Sequence, residues 1–567
     1  MKRSGEIKEQ DGTETNGKKR RRISSDDEDL KPTNPLVSPL LTDLYQLTMA
    51  YGHWKAGRHE DHSVFDLYFR KNPFRGEFTI FAGLEEVLKH LRHFHFSDGD
   101  LEYVAELLKP EPEFIEWLAS VDCRKIKVCA IAEGSVVFPR EPLLRIEGPL
   151  AVAQLLETTF LNLVNYPSLV ATNAARMRLA AGSDKLLMEF GLRRAQGPDG
   201  AVSASRYSYV GGFDATSNVL AGKLTNIPVK GTHAHAYVQA YSGIDDLRDR
   251  RLGDNSDFAG AVLKTREELG FHGAHDGELA AFISYAQAFP SGFLALVDTY
   301  DTLTSGVPNF IAVAIELIKL GKKPVGIRLD SGDLSYFSKK ARQLLREAAE
   351  KSGFAELAAA TIIASNDLNE QVIHSLNQEG HEIDGFGIGT HLVTCQAQPA
   401  LGCVYKLVEI NNRPRIKLSQ DISKVSLPGS KQVYRLYGSA GHPLVDLMLL
   451  ATEEPPLRGK RILCRHPLEA AKRCYVTPAE VEPLLQVVWD GAADTNDVAK
   501  GKDDPSDTDG VGPLFLARKH ALAQLERLRD DHLREVNPTP YKVSVSEKLY
   551  EYMHELWEME APIMELS

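Results

Sequence analysis

The sequence predicts an α/β fold: an irregular TIM-like α/β barrel with an additional mixed α/β domain built from the N-terminal and C-terminal segments. A pattern of apolar strand, polar turn and helix repeats at least six times in the middle of the chain. Continuous apolar runs are typical of strands buried on both faces, and their alternation with helices indicates parallel βα units. No Gly-x-Gly-x-x-Gly motif follows the first of these strands, which favours a barrel over a Rossmann-type sheet.

We expect the 567 residues to divide into four regions. Residues 1–34 are polar and are expected to be a disordered tail. Residues 35–150 are expected to form an N-terminal α/β domain, and residues 151–400 the barrel. Residues 401–567 are expected to pack on both, with a polar, disordered insertion near 490–512. Strand-like runs near both ends of the chain indicate that the two end regions share one mixed layer.

The composition excludes several classes of protein. Apolar residues make up 43% of the chain and charged residues 25%, which is ordinary for a soluble globular protein. The formal net charge of −12 argues against a nucleic-acid binder, and no apolar run reaches the length of a membrane helix. Six cysteines without a Cys-x-x-Cys pair, in a chain with no signal peptide, predict reduced thiols in a cytoplasmic protein.

The N-terminal tail carries a basic run at residues 18–22, followed by Ser24, Ser25 and an acidic run at residues 26–29. This order is typical of a nuclear import signal beside a phosphorylatable patch. The alternative is a solvated tail without a targeting role. We therefore expect a cytoplasmic protein and keep nuclear import as the alternative.

The most informative run is KPVGIRLDSGDL, residues 323–334. An apolar strand reaches Arg328, and Asp330, Ser331 and Asp333 then crowd a turn before the next helix. A guanidinium beside carboxylates at the carboxyl end of a buried strand is how α/β proteins bind small anions. This run therefore predicts an anion site.

Other predicted strands also end in polar residues. In chain order they are KLLMEFGLRR (185–194), NIPVKGTHAHAYV (226–238), GFLALVDTYDT (292–302), ATIIASNDLN (360–369) and IDGFGIGTHLVT (383–394). Because the carboxyl ends of parallel barrel strands meet at one face, we expect their side chains to line a single site. The Ser-Asn-Asp and Gly-x-Gly-Thr turns of the last two offer backbone N–H groups suited to a phosphate, although tight βα turns also need glycine.

Two histidines, His233 and His235, lie two residues apart in GTHAHA. If this segment is extended, both side chains point the same way. Zinc needs more ligands than these two, so we favour one histidine as acid, base or nucleophile, oriented by a carboxylate such as Asp298. The alternatives are a hydrogen-bonded structural histidine at the barrel rim, and an acidic pair, Asp298 and Asp301, that coordinates Mg²⁺.

Taken together, the motifs resemble those of the eukaryotic nicotinate phosphoribosyltransferases, which are type II phosphoribosyltransferases. The resemblance covers roughly residues 36–566 and rests on PLLTDLYQLTMAYG, EFGLRRAQGPDG, GGFDATSNVLAGK, GTHAHA, LVDTYDTLTSGVPNF, GIRLDSGDL, ASNDLNE, FGIGTHLVTC and NPTPYKVS. It implies an irregular barrel with an N-terminal α/β domain, in a homodimer with shared active sites. It also implies a cytoplasmic ligase that joins nicotinate to 5-phosphoribosyl 1-pyrophosphate as the first step of NAD biosynthesis from nicotinate. ATP hydrolysis is coupled through a phosphorylated histidine, and Mg²⁺ or Mn²⁺ is required.

The resemblance also implies residue roles. His235 falls on the phosphorylated position and His233 on a variable one, Asp298 orients His235, and these roles make His235, Asp298 and Arg328 the catalytic residues. Arg328 also pairs with the nicotinate carboxylate or a phosphate. No metal ligand is assigned. The remaining substrate-binding residues are Phe190 and the second subunit's Tyr45 stacking on the pyridine ring, Arg193 on phosphates, Thr232 on nicotinate, Asp330 on the ribose or Mg²⁺, and Asn366, Asp367, Gly389 and Thr390 around the ribose phosphate.

Two alternatives remain. A nicotinamide phosphoribosyltransferase has the same barrel and histidine chemistry, but it has an aspartate where we align Asn218. Since an anion there would repel a carboxylate substrate, Asn218 favours nicotinate. The second alternative, a non-catalytic barrel scaffold, is disfavoured because the whole constellation of site residues is present.

Overall fold

The computed structural model describes residues 31–491 and 512–561. The basic and acidic runs of the tail lie outside the described residues, as does nearly all of the predicted insertion at 490–512. The end of the predicted disordered tail is anchored, because the backbone N–H of Thr33 donates to Glu86 at 2.8 Å.

The described strands, in chain order, are β1 (His62–Phe69), β2 (Thr79–Ile80), β3 (Lys127–Ala130), β4 (Val136–Val137), β5 (Leu144–Pro149), β6 (Leu186–Glu189), β7 (Ala215–Thr216), β8 (Leu294–Leu296), β9 (Gly326–Leu329), β10 (Thr361–Ser365), β11 (Gly385–Ile388), β12 (Cys403–Ile410), β13 (Arg413–Pro414), β14 (Lys431–Tyr437), β15 (Pro443–Leu450), β16 (Ile462–Arg465), β17 (Arg473–Val476), β18 (Glu480–Pro483), β19 (Gln486–Asp490) and β20 (Val543–Val545).

The described α-helices, in chain order, are Leu44–Lys55, Leu84–His93, Asp98–Leu108, Pro112–Ser120, Leu150–Leu155, Glu157–Ala181, Gly197–Val210, Val219–Thr225, His235–Gln239, Phe258–Glu268, Asp276–Ala288, Val307–Lys319, Leu334–Ser352, Glu370–Glu379, Thr390–Val393, Pro513–Arg527, Asp530–Leu533 and Glu547–Glu560. Within the described ranges, none of these helices combines the length and apolar character that crossing a bilayer requires.

Six parallel strands form the central sheet in the order β7-β6-β11-β10-β9-β8. Their short apolar sequences are buried on both faces, as the continuous hydrophobic runs predict. The segment 228–233 links the two edge strands: Thr216 of β7 forms a parallel bridge with Val229, and the Thr232 hydroxyl donates to the Leu294 carbonyl of β8 at 2.5 Å. These contacts connect the two edge strands, so the six strands and the segment 228–233 form a ring of contacts.

The segment 226–238 differs from its predicted strand. It forms a single bridge at Val229 and then turns into the helix His235–Gln239. Pro228 has no N–H to donate to a strand ladder, which helps to explain why pairing stays this short. The link to β8 is therefore made by side chains.

The two ends of the chain meet in an antiparallel sheet with the order β13-β12-β1-β5-β3-β19. Here β1, from the N-terminal part, pairs with β12, from the C-terminal part, with Tyr405 opposite Leu67. A third sheet, in the order β17-β16-β20-β15-β14-β18, belongs to the C-terminal part. The mixed layer expected from both ends is thus present as shared strands.

One buried ion pair connects the third sheet to its neighbours. Arg435 on β14 and Asp446 on β15 lie 2.7 Å apart with side chains 1% and 0% exposed. The same guanidinium donates to the Val136 carbonyl of β4 at 2.8 Å and to Gln524 of the helix Pro513–Arg527 at 2.9 Å. Arg435 therefore satisfies a carboxylate, a carbonyl and an amide from three other elements.

We expect Arg435→Met to destabilise the protein by about 3–5 kcal/mol, because Asp446 would keep a buried charge without its partner. Urea unfolding of the purified variant measures this loss. The exposed pair Arg58–Asp61 is the control, since Arg58→Met is expected to cost about 1 kcal/mol or less. Equal losses in the two variants would contradict the prediction.

Candidate active site

A cavity of about 430 Å³ opens at the carboxyl ends of the parallel strands. Its walls come from the residues that follow β6, β10 and β11, from β9 itself and from the linking segment 228–233. The lining residues are Phe190, Leu192, Arg193, Arg194, Ser217, Gly231, Thr232, His233, Ala234, Arg328, Asp330, Ser365, Asn366, Asp367, Gly387, Gly389 and Thr390. Nine of the predicted site residues are among them.

Phe190 supplies the aromatic wall. Its backbone N–H donates to the Ile388 carbonyl at 2.8 Å, so the residue continues the pairing of β6 with β11. A Cβ atom at Gly387 would lie 2.4 Å from the Phe190 ring. Glycine at 387 therefore makes room for this ring at the mouth of the barrel.

Arg328 supplies a buried cation. Its side chain is 16% exposed, and its nearest carboxylate oxygen, on Asp330, is 4.0 Å away. Among the described residues its Nε has no hydrogen-bond partner. Burial lowers the pKa of Arg328, while Asp330 and Asp298 oppose that shift. A guanidinium with free donors inside a cavity is suited to a planar anion such as a carboxylate.

The turns after β10 and β11 form the wall between Phe190 and Arg328, because these two strands lie between β6 and β9 in the sheet. Asn366 and Asp367 have φ values of 104° and 41°, in the left-handed region that asparagine and aspartate adopt more readily than most residues. Arg194 donates to the Thr390 hydroxyl at 3.0 Å and lies 3.7 Å from Asp367. These turns bring backbone amides and arginine side chains together, which is the chemistry of a phosphate site.

His235 lies at the edge of the cavity, with its side chain 39% exposed. Its Nδ1 is 3.0 Å from the Thr299 hydroxyl, and its Nε2 is 4.0 Å from Asp298 and 3.8 Å from Asp330. Thr299, rather than Asp298, therefore makes the orienting hydrogen bond. The two carboxylates lie on the Nε2 side, close enough to act on the ring by charge.

Asp298 is held on its other side. Its Oδ2 accepts from the backbone N–H of Asp330 at 3.1 Å and from the Ser331 hydroxyl at 2.5 Å. Asp301, the other acidic residue of this run, caps the next turn by accepting from the backbone N–H groups of Leu303 and Thr304. The Thr304 hydroxyl also donates to Asp301 at 2.7 Å, and this bond, followed by the backbone bonds, lowers the pKa of Asp301. Of the expected acidic pair, Asp298 therefore lies beside the His235 ring, whereas Asp301 caps the following turn.

His233 does not point the same way as His235, because a helix begins at His235. The His233 ring packs against Tyr285, with 4.8 Å between ring centroids, and its Nε2 accepts from the backbone N–H of Leu296 at 3.3 Å. Burial lowers the pKa of His233 to about 4. This neutral histidine stabilises the link between segment 228–233 and β8.

Four predicted residues are not among those that line the cavity: His235 and Asp298, described above, and Tyr45 and Asn218. Tyr45 is 47% exposed on the helix Leu44–Lys55. Asn218 is buried: its Oδ1 accepts from the Ala221 N–H at 3.2 Å, and its amide donates to Ser205 at 3.2 Å. The capping bond turns Asn218 inward, and the neighbouring Ser217 lies on the cavity wall.

Thr299 and Ser217 were not predicted. Both directly adjoin residues that were, Asp298 and Asn218, and both follow a short strand. Strand-end position is the signal that could have found them. The choice between neighbours depends on which side chain the following turn or helix uses as a cap, and this the sequence pattern does not specify.

Family models match most of the chain. They are the nicotinate phosphoribosyltransferase N-terminal domain over residues 40–165, the nicotinate phosphoribosyltransferase family over residues 186–438 and the nicotinate phosphoribosyltransferase C-terminal domain over residues 430–553.

Similar proteins carry the same description. Nicotinate phosphoribosyltransferase 1 of Arabidopsis thaliana is 55% identical over 550 residues, which cover 94% of this chain and 96% of that protein. Nicotinate phosphoribosyltransferase of Homo sapiens is 46% identical over 541 residues, which cover 92% and 97% of the two chains. The crystal structure of human nicotinic acid phosphoribosyltransferase aligns with a TM-score of 0.79 and 43% sequence identity, over 91% of this chain and 99% of that one. These matches along nearly the whole sequence show that the chain belongs to the nicotinate phosphoribosyltransferase family.

Proposed function

We propose that this protein joins nicotinate to 5-phosphoribosyl 1-pyrophosphate, giving nicotinate mononucleotide and pyrophosphate, with ATP hydrolysis coupled through His235. The observation that carries the proposal is the buried Arg328 guanidinium with free donors, in one cavity with an aromatic wall and a phosphate-type turn. The reaction is the first step of NAD biosynthesis from nicotinate, in the cytoplasm, and it places the protein in the ligase class. The irregular barrel supplies the scaffold.

Different parts of the cavity wall suit different chemical groups of the two substrates. Phe190 offers a face for the pyridine ring, and Arg328 offers two N–H donors for the carboxylate. The turn at Asn366 and Asp367, with Arg194, suits the 5-phosphate of the ribose. The pyridine nitrogen uses its own lone pair to form the bond to C1 of the ribose while the bond from C1 to the pyrophosphate oxygen breaks. No general base is needed, so catalysis depends on positioning and on stabilising the leaving pyrophosphate.

His235 is suited to accept a phosphate from ATP. Its Nε2 bonds to the γ-phosphorus as the bond to the β–γ bridging oxygen breaks, and ADP leaves; water later cleaves the P–N bond. Thr299 accepts a hydrogen bond from Nδ1–H in this state, and Asp298 and Asp330 lie 4.0 Å and 3.8 Å from Nε2. Their negative charge disfavours a phosphate on Nε2 and so favours turnover of the phosphohistidine.

A divalent ion, Mg²⁺ or Mn²⁺, fits this cavity only with the help of substrate oxygens. Across residues 31–491 and 512–561, no group of three or more His, Cys, Asp or Glu side chains is arranged to hold a metal ion. Magnesium sites in phosphoryl chemistry commonly use one or two carboxylates plus phosphates, and Asp330 and Asp367 are available in the wall. When bound, the ion would neutralise charge on the leaving pyrophosphate.

The protein is proposed to act as a homodimer with shared active sites. The exposed position of Tyr45 leaves its ring free to reach a neighbouring subunit. The alternative substrate, nicotinamide, is disfavoured because the wall residue at 217 is a neutral serine, and a buried Arg328 has no substrate carboxylate to pair with in that case.

The basic assay tests the whole proposal. Mononucleotide formation from nicotinate, 5-phosphoribosyl 1-pyrophosphate and Mg²⁺ is measured with and without ATP, and ATP is expected to accelerate it. Product formed only from nicotinamide would contradict the substrate assignment.

We expect His235→Ala to abolish stimulation by ATP and phosphate labelling from γ-labelled ATP, while a slow ATP-independent reaction remains. The physical reason is the loss of the only proposed phosphate acceptor. His95→Ala, at an exposed position away from the cavity, is the matched control. Full ATP stimulation in His235→Ala would overturn the phosphohistidine assignment.

We expect Arg328→Gln to lower kcat/KM for nicotinate by roughly 10- to 100-fold, the effect of about 1.5–3 kcal/mol for a hydrogen bond to a charged group. Steady-state kinetics with nicotinate varied at saturating ATP measure this loss. Arg346→Gln, on the surface of the helix Leu334–Ser352, is expected to have no effect. An unchanged kcat/KM in Arg328→Gln would remove Arg328 from the nicotinate site.

We expect Ser217→Asp to shift the preference from nicotinate towards nicotinamide by at least about tenfold, since a carboxylate in the wall repels one substrate and accepts from the amide of the other. The measurement is the ratio of kcat/KM for the two substrates. Asn218→Asp is the neighbouring control, because that side chain caps a helix outside the cavity. A larger shift in Asn218→Asp than in Ser217→Asp would restore the original assignment.

A further inference from the structure

A second buried polar network lies behind the loop that carries Asp298 and Thr299. We call residues 298–301 the histidine loop. Glu278, on the helix Asp276–Ala288, is fully buried. Its Oε2 accepts from the Ser305 hydroxyl at 2.5 Å and from the Asn309 amide at 3.1 Å. The reaction proposed above makes no use of this carboxyl.

The network is directly continuous with the histidine loop. The loop ends at Asp301, and a single π-helical turn, Thr302–Gly306, follows and contains Ser305. π-Helical turns are frequent at functional sites. A Cβ atom at Gly306 would lie 1.9 Å from the Val297 carbonyl, so the two ends of this segment are in close contact. A change in the position of Ser305 would therefore move the histidine loop.

A third contact fixes the middle of the loop. The Tyr300 ring stacks on the His275 ring with centroids 3.8 Å apart. The backbone of His275 belongs to the same network, because its N–H donates to the Ser305 hydroxyl at 2.9 Å and its carbonyl accepts from the Asn309 amide at 3.1 Å. Thr299, which bonds the catalytic imidazole, is thus the immediate neighbour of a residue held by the Glu278 network.

The charge state of Glu278 matters because its surroundings are acidic. Its pKa is raised from 4.5 to about 7: burial is the largest cause, the hydrogen bonds from Ser305 and Asn309 lower it, and the nearby Asp298 and Asp301 raise it. Among the described residues, its Oε1 has no hydrogen-bond partner. The titratable groups that face Glu278 are His275, which caps its helix, and Asp298 and Asp301 of the histidine loop. His235 lies beyond Asp298. Asp276 is paired with Arg266, with 2.7 Å between the charged atoms.

We propose that Glu278 is a positioning residue for His235, which holds the histidine loop in place and, by keeping its proton, allows phosphate to accumulate on the imidazole. This inference rests on the proposed phosphohistidine chemistry. Phosphate on His235 adds negative charge near Asp298 and so strengthens proton binding by Glu278. By reciprocity, loss of the Glu278 proton weakens phosphorylation of His235.

Glu278→Gln tests the proposal. Glutamine keeps an oxygen that accepts from Ser305 and Asn309 but cannot ionise. We expect the variant to match the wild type at pH 6 and to exceed it at pH 8.5, where Glu278 is ionised, by roughly threefold in kcat/KM for ATP, the size of a screened charge effect at this range. Glu316→Gln is the matched control, since Glu316 is also buried and accepts from Thr265 on a different surface of the neighbouring helix.

Thermal unfolding without substrates gives a readout independent of activity. Because the pKa of Glu278 is raised in the folded state, its stabilising contribution is full below about pH 4.5 and is lost as the pH rises through about 7. The Tm of Glu278→Gln minus that of the wild type is therefore expected to increase from pH 5.5 to pH 8. A difference that stays constant would overturn the titration of Glu278.

The outcomes separate the two proposals. A wild-type protein that forms no mononucleotide from nicotinate would overturn the proposed function, while the Tm comparison would still test Glu278. If the wild type is active and its kcat/KM for ATP changes with pH in the same way as that of Glu278→Gln, the positioning role alone is overturned. If Glu278→Gln does not fold, Ser305→Ala provides the test. Because this variant removes a hydrogen-bond donor to the Glu278 carboxylate, the pH at which kcat/KM for ATP changes is expected to be higher than in the wild type. An unchanged transition pH would contradict the proposal.

Discussion

The site depends on the buried carboxylate of Asp298. It ties the end of β8 to the turn after β9 by accepting from the backbone N–H of Asp330 and from the hydroxyl of Ser331. One strand end carries Thr299 beside the histidine, and the other carries Arg328. This bond adds to the β8–β9 ladder, in which the backbone N–H of Val297 donates to the Arg328 carbonyl at 3.1 Å, and together they fix the Arg328 guanidinium relative to the His235 ring. A buried anion accepting two hydrogen bonds is also hard to displace, because removing either donor leaves it incompletely solvated.

The closure of the ring explains why the site lies where it does. Between β7 and β8, the segment 228–233 contributes one bridge and two side-chain contacts, from Thr232 and His233, in place of a full ladder. A regular strand there would use its backbone N–H and C=O groups in the ladder, and it would fix the faces to which Thr232 and His235 point. The irregular segment instead allows His233 to turn into the core while His235 starts a helix at the cavity edge. The irregular segment 228–233 is thus part of the architecture of the site.

The sequence predicted the architecture better than the individual contacts. Continuous apolar strands followed by polar turns were enough to place Arg328, Phe190 and the Asn366–Asp367 turn at one mouth, since parallel strands share a carboxyl-terminal face. Strand alternation failed for His233 and His235, because a helix start replaced the expected strand. Asn218 differs for another reason: its side chain caps a helix, and Ser217 lies on the wall. Such one-residue choices depend on where a helix begins, which a sequence pattern places only to within one or two residues.

The charges around the cavity bear on how one site handles two phosphate chemistries in the proposed reaction. Arg193, Arg194 and Arg328 line the cavity, whereas Asp298 and Asp330 flank the imidazole, and Asp330 also lies 4.0 Å from Arg328. In the proposed reaction, a phosphate bound among the arginines is stabilised in place, whereas a phosphate on His235 lies among carboxylates and is held at higher free energy. The proposed coupling therefore stores energy from ATP on the histidine and releases it when the phosphate leaves.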